Sequence, residues 1–271
     1  MKFYDLFCGI GGFRLGLERS GFECVGSCEI DKYAREIYKK NFGDYPTERD
    51  IREVDYSKLP DLDILTAGFP CQSFSIAGKR MGFDDTRGTL FFEIIRIAAK
   101  KRPEILFLEN VKGLLNHDRG RTFGTIINTI YELGYDVEWQ VINGKYFVPQ
   151  NRERVFIIGH LRGKPFRKIF PIIESISWSD ESQKKATGKE SWFWYSNCID
   201  ASYKKAAGSR PHVLMDDGRL RIFTLLEVER LMGFPDNYTQ LEEISDTQRY
   251  KMLGNSVIPQ IIEMIGRKLC S

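Results

Sequence analysis

Apolar residues recur along the first 160 positions with two periods in turn, every second residue and then every third or fourth. These periods predict strands that alternate with helices. Such alternation is typical of an α/β fold with a doubly wound, mainly parallel sheet and helices on both faces. Strand patterns cover residues 2–7, 23–28, 63–67, 105–108, 137–142 and 154–158, and helix patterns cover residues 13–20, 32–41, 89–101 and 121–133.

The regular pattern is lost between about residues 161 and 220, where Ser, Lys, Gly and aromatic residues follow one another without a clear period. Helical patterns resume at 223–232 and 257–269. We therefore predict a first domain over 1–160, a small irregular lobe over 161–220, and a return to the first domain over 221–271.

Charge is distributed unevenly, although the formal net charge of the chain is only +3. From residue 160 to residue 221, 12 Lys and Arg stand against 7 Asp and Glu, a net charge of +5 that leaves −2 for the rest. A basic segment on a near-neutral body favours a lobe that contacts phosphates, and a solvated surface loop would give the same pattern.

Cysteine and histidine spacing excludes two common kinds of site. The 6 cysteines contain no CxxC pair, and the 3 histidines, His117, His160 and His212, are widely separated. This fits neither a disulfide framework nor a metal site, so we expect free thiols and no metal. No apolar run is long enough to span a bilayer and no signal peptide is visible, so we expect a cytoplasmic protein without a membrane partner.

A glycine-rich turn follows the first strand, where a doubly wound sheet binds its ligands. Gly9, Gly11 and Gly12 would let a ligand approach the backbone at the start of a helix. A dinucleotide fingerprint would need a further glycine where this chain has Arg14, which disfavours a pyrophosphate. The turn fits a nucleoside without phosphates better.

Two acids complete a candidate adenosine pocket. Glu29 ends the second strand, 20 residues after Gly9, where a carboxylate can accept hydrogen bonds from both ribose hydroxyls. Asp50 could likewise accept from an adenine amino group. Taken singly, either residue could equally be a surface acid at a strand end.

A cysteine in the loop after the third strand is the candidate nucleophile. Cys71 lies in the segment 68–75, and Glu109 ends the next strand. A thiol with an ordinary pKa is only about 3% thiolate at pH 7, so the site must lower that pKa or couple attack to proton delivery, which Glu109 could supply. Arg152 and Arg154 alternate along a predicted strand and could hold a carbonyl and a phosphate. Alone, such a cysteine is usually a buried apolar residue.

The chain resembles the cytosine-C5 DNA methyltransferases along nearly its full length, because eight motifs occur in that family's order. The resemblance implies that Cys71 adds to C6 of a cytosine flipped out of duplex DNA, which makes C5 nucleophilic toward S-adenosylmethionine. The motifs are the turn 7–12, Glu29, Asp50, the segment 70–72, the segment 85–90, the segment 109–111, Gln150 with Arg152 and Arg154, and the segment 254–259.

The same resemblance assigns the site residues. Cys71, Glu109, Arg152 and Arg154 would handle the cytosine, and Ser75, Lys79 and Arg87 would lie on a loop that closes over the DNA. The residues implied to contact S-adenosylmethionine, whose product is S-adenosylhomocysteine, are Phe7, Gly9, Gly12, Glu29, Ile30, Asp50, Ile51, Gly68, Pro70, Leu90, Asn255 and Val257.

The lobe over 161–220 would then be the target-recognition lobe, short enough to read a site of about four base pairs. Arg210 is our candidate for a guanine reader, and residues 192–195 are better explained as the lobe's own core than as wedges between bases. Where the family usually has an Arg-Glu pair, this chain has Leu226 and Glu227, which removes one polar support of that lobe.

The expected partner is double-stranded DNA, with the protein a monomer that can act on the same site as a cognate restriction endonuclease without touching it. Two alternatives stay open. Some members of the family methylate transfer RNA, although the Cys-Phe-Thr sequence of those members is missing here. A catalytically silent DNA-binding module would keep the fold, and the presence of both Cys71 and Glu109 argues against it.

Overall fold

A computed structural model of the chain describes residues 1–70, 90–172, 196–204, 213–214 and 219–270. Its centre is a six-stranded sheet in the order β2-β1-β3-β4-β6-β5. The first four strands in that order run parallel, and β6 runs antiparallel to both of its neighbours. The predicted doubly wound, mainly parallel sheet is confirmed. Its strands are β1 (Lys2–Leu6), β2 (Glu23–Cys28), β3 (Ile64–Gly68), β4 (Ile105–Val111), β5 (Tyr135–Asn143) and β6 (Glu153–Leu161).

The reversed strand follows from the short connection that precedes it. Only residues 144–152 separate β5 from β6, and they hold one short 3-10 helix, Gly144–Tyr146. A parallel crossover needs a dozen or more residues, usually with an α-helix, so this length permits only an antiparallel neighbour.

Seven α-helices flank the sheet in the described residues. α1 and α7 pack closely because Gly16 has no side chain: a Cβ there would lie 2.6 Å from both Ile262 Cβ and the Pro259 carbonyl oxygen. This contact packs the C-terminal helix against the first helix of the chain, and the predicted return over 221–271 stays a prediction. The helices are α1 (Gly12–Arg19), α2 (Lys32–Phe42), α3 (Leu90–Lys101), α4 (Arg121–Glu132), α5 (Leu225–Leu231), α6 (Asp246–Asn255) and α7 (Pro259–Cys270).

The two faces of the sheet carry separate apolar clusters. Along β4, Ile105 and Phe107 join one cluster, and Leu106 and Leu108 join the other. This alternation is the period of two that the sequence shows, with both faces buried. Helices on both sides therefore fix the sheet and leave its carboxyl edge for a ligand.

Parts of the segment 161–220 are anchored on the first domain. Ile169 and Phe170 donate backbone hydrogen bonds of 2.8 and 3.0 Å to the Glu138 carboxylate on β5. Both side chains, and that of Ile199, are buried in the same apolar cluster as α1 and α7. The described remainder includes a two-stranded sheet of β7 (Val213–Leu214) and β8 (Leu220–Arg221). The division at residues 160 and 220 stays a prediction.

Candidate active site

A cavity of about 570 Å³ opens beyond the carboxyl ends of the parallel strands, where a doubly wound sheet binds ligands. Residues from six separate parts of the sequence line it. The predicted site residues among its lining are Phe7, Gly9, Gly12, Glu29, Gly68, Pro70, Glu109, Arg152, Arg154, Asn255 and Val257.

The glycine-rich turn adopts backbone conformations that ordinary residues avoid. Gly9 and Gly11 have φ values of +56° and +89°, which glycine adopts without steric penalty. Gly12 serves a different contact, since a Cβ there would lie 2.8 Å from Val257 Cγ2. The first turn and the C-terminal segment therefore meet at one wall of the cavity.

Glu29 is held rigidly at the end of β2. Its Oε2 accepts from the Gly9 amide at 2.8 Å and its Oε1 accepts from the Asp31 amide at 2.7 Å. Burial raises the pKa of Glu29, although these amide hydrogen bonds oppose the rise. Each carboxylate oxygen keeps a second acceptor position for a ligand hydroxyl.

Four predicted cofactor residues do not line the cavity. Asp50 instead pairs with Arg52, whose Nε lies 2.9 Å from Asp50 Oδ1, and this pairing lowers the pKa of Asp50. Ile51 is buried in the apolar core, whereas Ile30 is 59% exposed. Leu90 begins α3 and is partly buried. Contact of these residues with a cofactor stays a prediction.

Glu109 and Arg154 form a buried ion pair, with Arg154 Nε 3.2 Å from Glu109 Oε1. Burial raises the pKa of Glu109, and the charges of Arg154 and then Arg152 lower it in part. Gly68 faces this carboxyl, because a Cβ at Gly68 would lie 3.4 Å from Glu109 Oε2. The cavity therefore contains a carboxyl group that retains its proton more readily than a surface acid.

Asn110 is a residue whose role the sequence did not show. Its Nδ2 donates to the Phe69 carbonyl at 2.8 Å, and its Oδ1 accepts from the Val111 amide at 2.8 Å. The side chain therefore ties the end of β4 to the residues before Cys71. The sequence feature that could have indicated this role is the position of Asn110 directly after Glu109, at the end of a predicted strand. Cys71 itself, with Ser75, Lys79, Arg87 and Arg210, lies outside the described residues.

Arg152 occupies a different position from Arg154. β6 begins at Glu153, so Arg152 lies one residue before the strand, and both arginines line the cavity. Arg152 is 1% exposed, and its Nη atoms donate to three backbone carbonyls. Burial, and then the charge of Arg154, lowers the pKa of Arg152 to about 10, which leaves it charged at neutral pH.

Glu227, which follows Leu226, pairs with an arginine that is not its neighbour in the sequence. Arg221 Nη1 and Nη2 each lie 2.7 Å from an oxygen of Glu227. Glu227 also completes a capping box with Thr224 at the start of α5. The side chain of Glu227 is therefore fixed without an adjacent arginine.

Across the described ranges, no group of three or more His, Cys, Asp or Glu side chains is arranged to hold a metal ion. The described cysteines, Cys8, Cys24, Cys28, Cys198 and Cys270, are free thiols. Within the same ranges, no helix has the length and apolar character needed to cross a membrane.

A family model described as C-5 cytosine-specific DNA methylase matches residues 1–192 and 176–271, which together span the whole chain. The chain belongs to this family. Members methylate C5 of cytosine in DNA, and the methylase is accordingly a DNA cytosine-5-methyltransferase of the type found in restriction-modification systems.

Relatives that match nearly the whole chain support this assignment. The methylase is 42% identical to the type II methyltransferase M1.ScrFI of Lactococcus lactis subsp. cremoris, over 99% of this chain and 77% of that one. It is 41% identical to M.NgoBI of Neisseria gonorrhoeae, over 100% and 93%. It is 36% identical to M.HhaI of Haemophilus parahaemolyticus, over 100% and 94%.

Solved structures share the fold at lower identity. The S. pombe Dnmt2 methyltransferase superposes with a TM-score of 0.76 at 20% identity, covering 97% of this chain and 96% of that one. A DNMT2 mutant of Spodoptera frugiperda gives 0.77 at 22% identity, over 100% and 99%. These structures confirm the α/β methyltransferase fold.

Proposed function

We propose that the methylase binds S-adenosylmethionine in the cavity and methylates a cytosine flipped out of duplex DNA, with Cys71 as nucleophile. The observation that carries this proposal is the convergence in one cavity of Glu29, the Glu109–Arg154 pair and Pro70, the residue before Cys71. The residues of the candidate nucleoside site and the acid therefore line one cavity. Pro70, which directly precedes Cys71 in the sequence, also lines it.

The residues around Glu29 fit an adenosyl group. Its carboxylate offers free acceptor positions to ribose hydroxyls, and the adjoining Gly9 leaves room for the ligand because no side chain projects there. No basic residue lies on the glycine-rich turn before Arg14, as a ligand without phosphates requires. S-adenosylmethionine supplies the methyl group, and Phe7, Gly12, Gly68, Asn255 and Val257 would enclose it.

The residues at the other end of the cavity would activate the base. The Cys71 thiolate would form a bond to C6 as the C5–C6 π pair moves to C4–C5 and the C4–N3 π pair moves to N3, which takes the proton of Glu109. The resulting enamine carbon C5 would take the methyl group of S-adenosylmethionine, which leaves as S-adenosylhomocysteine, and N3 would return its proton to the Glu109 carboxylate. Loss of the C5 proton to a base and departure of the Cys71 sulfur from C6 would then restore the aromatic ring.

Arg154 would stabilise the charge that develops on the base. Its guanidinium lines the cavity beside Glu109 and is 14% exposed, so it can donate to a carbonyl or phosphate oxygen without leaving its partner. The attraction between Arg154 and Glu109 also fixes the orientation of the acid before the base arrives.

The proposed DNA contacts rest on the positive charge of residues 160–221 and on the resemblance to the family. The net charge of +5 between residues 160 and 221 suits a lobe that binds phosphates. We propose that the methylase acts as a monomer on a short specific sequence, which a cognate endonuclease would also recognise. Ser75, Lys79, Arg87 and Arg210 are the proposed DNA contacts.

Bisulfite sequencing of a random DNA library treated with the protein and S-adenosylmethionine tests the activity and its site together. We expect protected cytosines in one short motif. Label transferred to tRNA alone would contradict the DNA assignment, and absence of any transfer by protein that binds the cofactor would indicate a silent module.

Covalent trapping on 5-fluorocytosine DNA tests the nucleophile. The methylated adduct cannot lose fluorine, so the wild-type protein should accumulate it. Cys71→Ala should bind DNA without trapping, and a matched Cys270→Ala, at a remote thiol, should trap normally. Trapping by Cys71→Ala would show that another residue is the nucleophile.

A further inference from the structure

Two fully buried side chains, Gln150 and Arg152, join parts of the chain that are far apart in sequence. Gln150 Oε1 accepts from the Ile199 amide at 3.1 Å, and Arg152 Nη1 donates to the Ile199 carbonyl at 2.7 Å. The backbone amide and carbonyl of Ile199 are therefore both hydrogen-bonded by side chains of the short segment 150–152. Ile199 lies within the predicted recognition lobe, residues 161–220.

The second guanidinium nitrogen binds the C-terminal wall of the cofactor cavity. Arg152 Nη2 donates to the Gly254 carbonyl at 2.8 Å and to the Ser256 carbonyl at 2.6 Å. Both of these residues line the cavity. Arg152 thus hydrogen-bonds the lobe segment with one nitrogen and the cofactor wall with the other.

Direct backbone contact brings the same two segments together. A Cβ at Gly254 would lie 2.3 Å from the carbonyl carbon and oxygen of Asp200, so only glycine permits this approach. The guanidinium of Arg152 therefore bridges two segments that are already in contact. There is no room for a side chain at position 254.

The positions of these donors leave Arg152 poorly suited to contact a base. It is 1% exposed and its two Nη atoms are already bonded to carbonyls, whereas Arg154 faces the acid in the cavity. Turning Arg152 toward a base would leave buried carbonyls without hydrogen-bond donors, which is unfavourable.

We propose that Arg152, with Gln150, is a positioning residue that locks the recognition-lobe segment 198–200 to the cofactor wall 254–256, and that Arg154 is the arginine that meets the base. This inference rests on the proposed function, since it assigns the cofactor to that cavity and the DNA to that lobe. It makes cofactor affinity depend on the hydrogen bonds that Arg152 makes to the two segments.

A comparison of Arg152→Lys with Arg154→Lys separates the two roles. Lysine keeps the charge but lacks the rigid fork that reaches acceptors on two segments. Equilibrium binding of S-adenosylhomocysteine without DNA should weaken at least about tenfold in Arg152→Lys and change less than about twofold in Arg154→Lys. Both variants should slow methyl transfer.

Amide hydrogen exchange gives a second measurement that does not depend on the cofactor. In Arg152→Lys, exchange should rise together in residues 198–204 and 253–257, and it should stay unchanged in Arg154→Lys. Cys198→Ala removes only the sulfur that lies 3.4 Å from Arg152 Nη1 and should match the wild type. Ile130→Val, in the other apolar cluster, controls for a general loss of stability.

Unchanged cofactor affinity and unchanged hydrogen exchange in Arg152→Lys would overturn the proposal. Direct contact of Arg152 with the base would then be the better explanation. If that variant does not fold, Gly254→Ala pushes the same segments apart from the other side and should reproduce both effects. A wild-type protein that does not bind S-adenosylhomocysteine would refute the proposed cofactor, while the exchange measurement would still decide the role of Arg152.

Discussion

At the scale of single residues, burial raises the pKa of two carboxyl groups, one in the cavity and one outside its lining. Glu109 lines the cavity beside Arg154, and Asp5 lies on β1 with no exposed surface. Sequence reasoning found Glu109 because it ends a predicted strand. It did not find Asp5, because burial at a strand centre depends on the elements packed around it.

Replacing Glu109 with Gln should slow formation of the covalent adduct by about 10²–10⁴-fold, the usual contribution of a general acid. The pKa of Glu109 is raised, so its proton persists to higher pH than that of a surface acid and is lost as pH rises past that value. The wild-type adduct rate should therefore fall on the alkaline side, and that fall should be absent in Glu109→Gln. Trapping rates on 5-fluorocytosine DNA measure both the slowing in Glu109→Gln and the pH dependence. An unchanged rate in Glu109→Gln would show that Glu109 is not the general acid.

Asp5 should make the protein less stable as pH rises. Burial raises the pKa of Asp5 to about 7, against a hydrogen bond from Thr66 that lowers it, and Oδ2 has no partner. The folded state then holds a proton that the unfolded state releases near pH 4. The free energy of unfolding should fall by up to about 1.4 kcal/mol per pH unit between about pH 4 and 7.

Asp5→Asn should flatten this pH dependence because its amide does not ionise. Urea unfolding at pH 5, 6 and 7 measures the slope in both proteins, and Asp55→Asn, at a fully exposed acid, serves as the matched control. Equal slopes in the wild type and in Asp5→Asn would mean that Asp5 is ionised and stabilised at all three pH values.

At the scale of elements, the sequence predicted each of the ten strands and helices of the first 160 residues to within a few positions. β2 was predicted over 23–28 and lies at Glu23–Cys28. The reversal of β6 was not predicted, because periodicity shows that a strand exists and says nothing of its direction. The contacts of Arg152 were not predicted either, since its acceptors at Ile199, Gly254 and Ser256 come from segments 47–104 residues away.

The packing of α1 on α7 predicts opposite effects for two glycine substitutions. Gly16→Ala places a Cβ 2.6 Å from Ile262 and from the Pro259 backbone, and should destabilise the protein by about 1–3 kcal/mol. Gly124→Ala, within α4, meets no atom within 4 Å and should stabilise it by about 0.5–1 kcal/mol, since alanine favours a helix. Urea unfolding of both variants tests this, and equal effects would contradict the close contact.

At the scale of the whole molecule, one cavity unites the ends of β1, β2, β3 and β4 with the segment after α6. A ligand there would contact both the start and the end of the chain, so ligand binding and global unfolding should be linked. The fold family alone does not select the ligand, since doubly wound sheets also bind dinucleotides. We expect the turn before Arg14 to carry that selectivity.

S-adenosylhomocysteine at 100 times its dissociation constant should raise the free energy of unfolding by about 2.7 kcal/mol. NAD⁺ at the same concentration should leave it unchanged, because the turn lacks the third glycine of a pyrophosphate site. Glu29→Ala should remove the S-adenosylhomocysteine effect, since Glu29 is the acceptor fixed by Gly9 and Asp31. The urea midpoint measured with each ligand distinguishes a nucleoside site from a pyrophosphate site. Equal stabilisation by NAD⁺ would mean that the cavity accepts a pyrophosphate and that our interpretation of the glycine-rich turn is wrong.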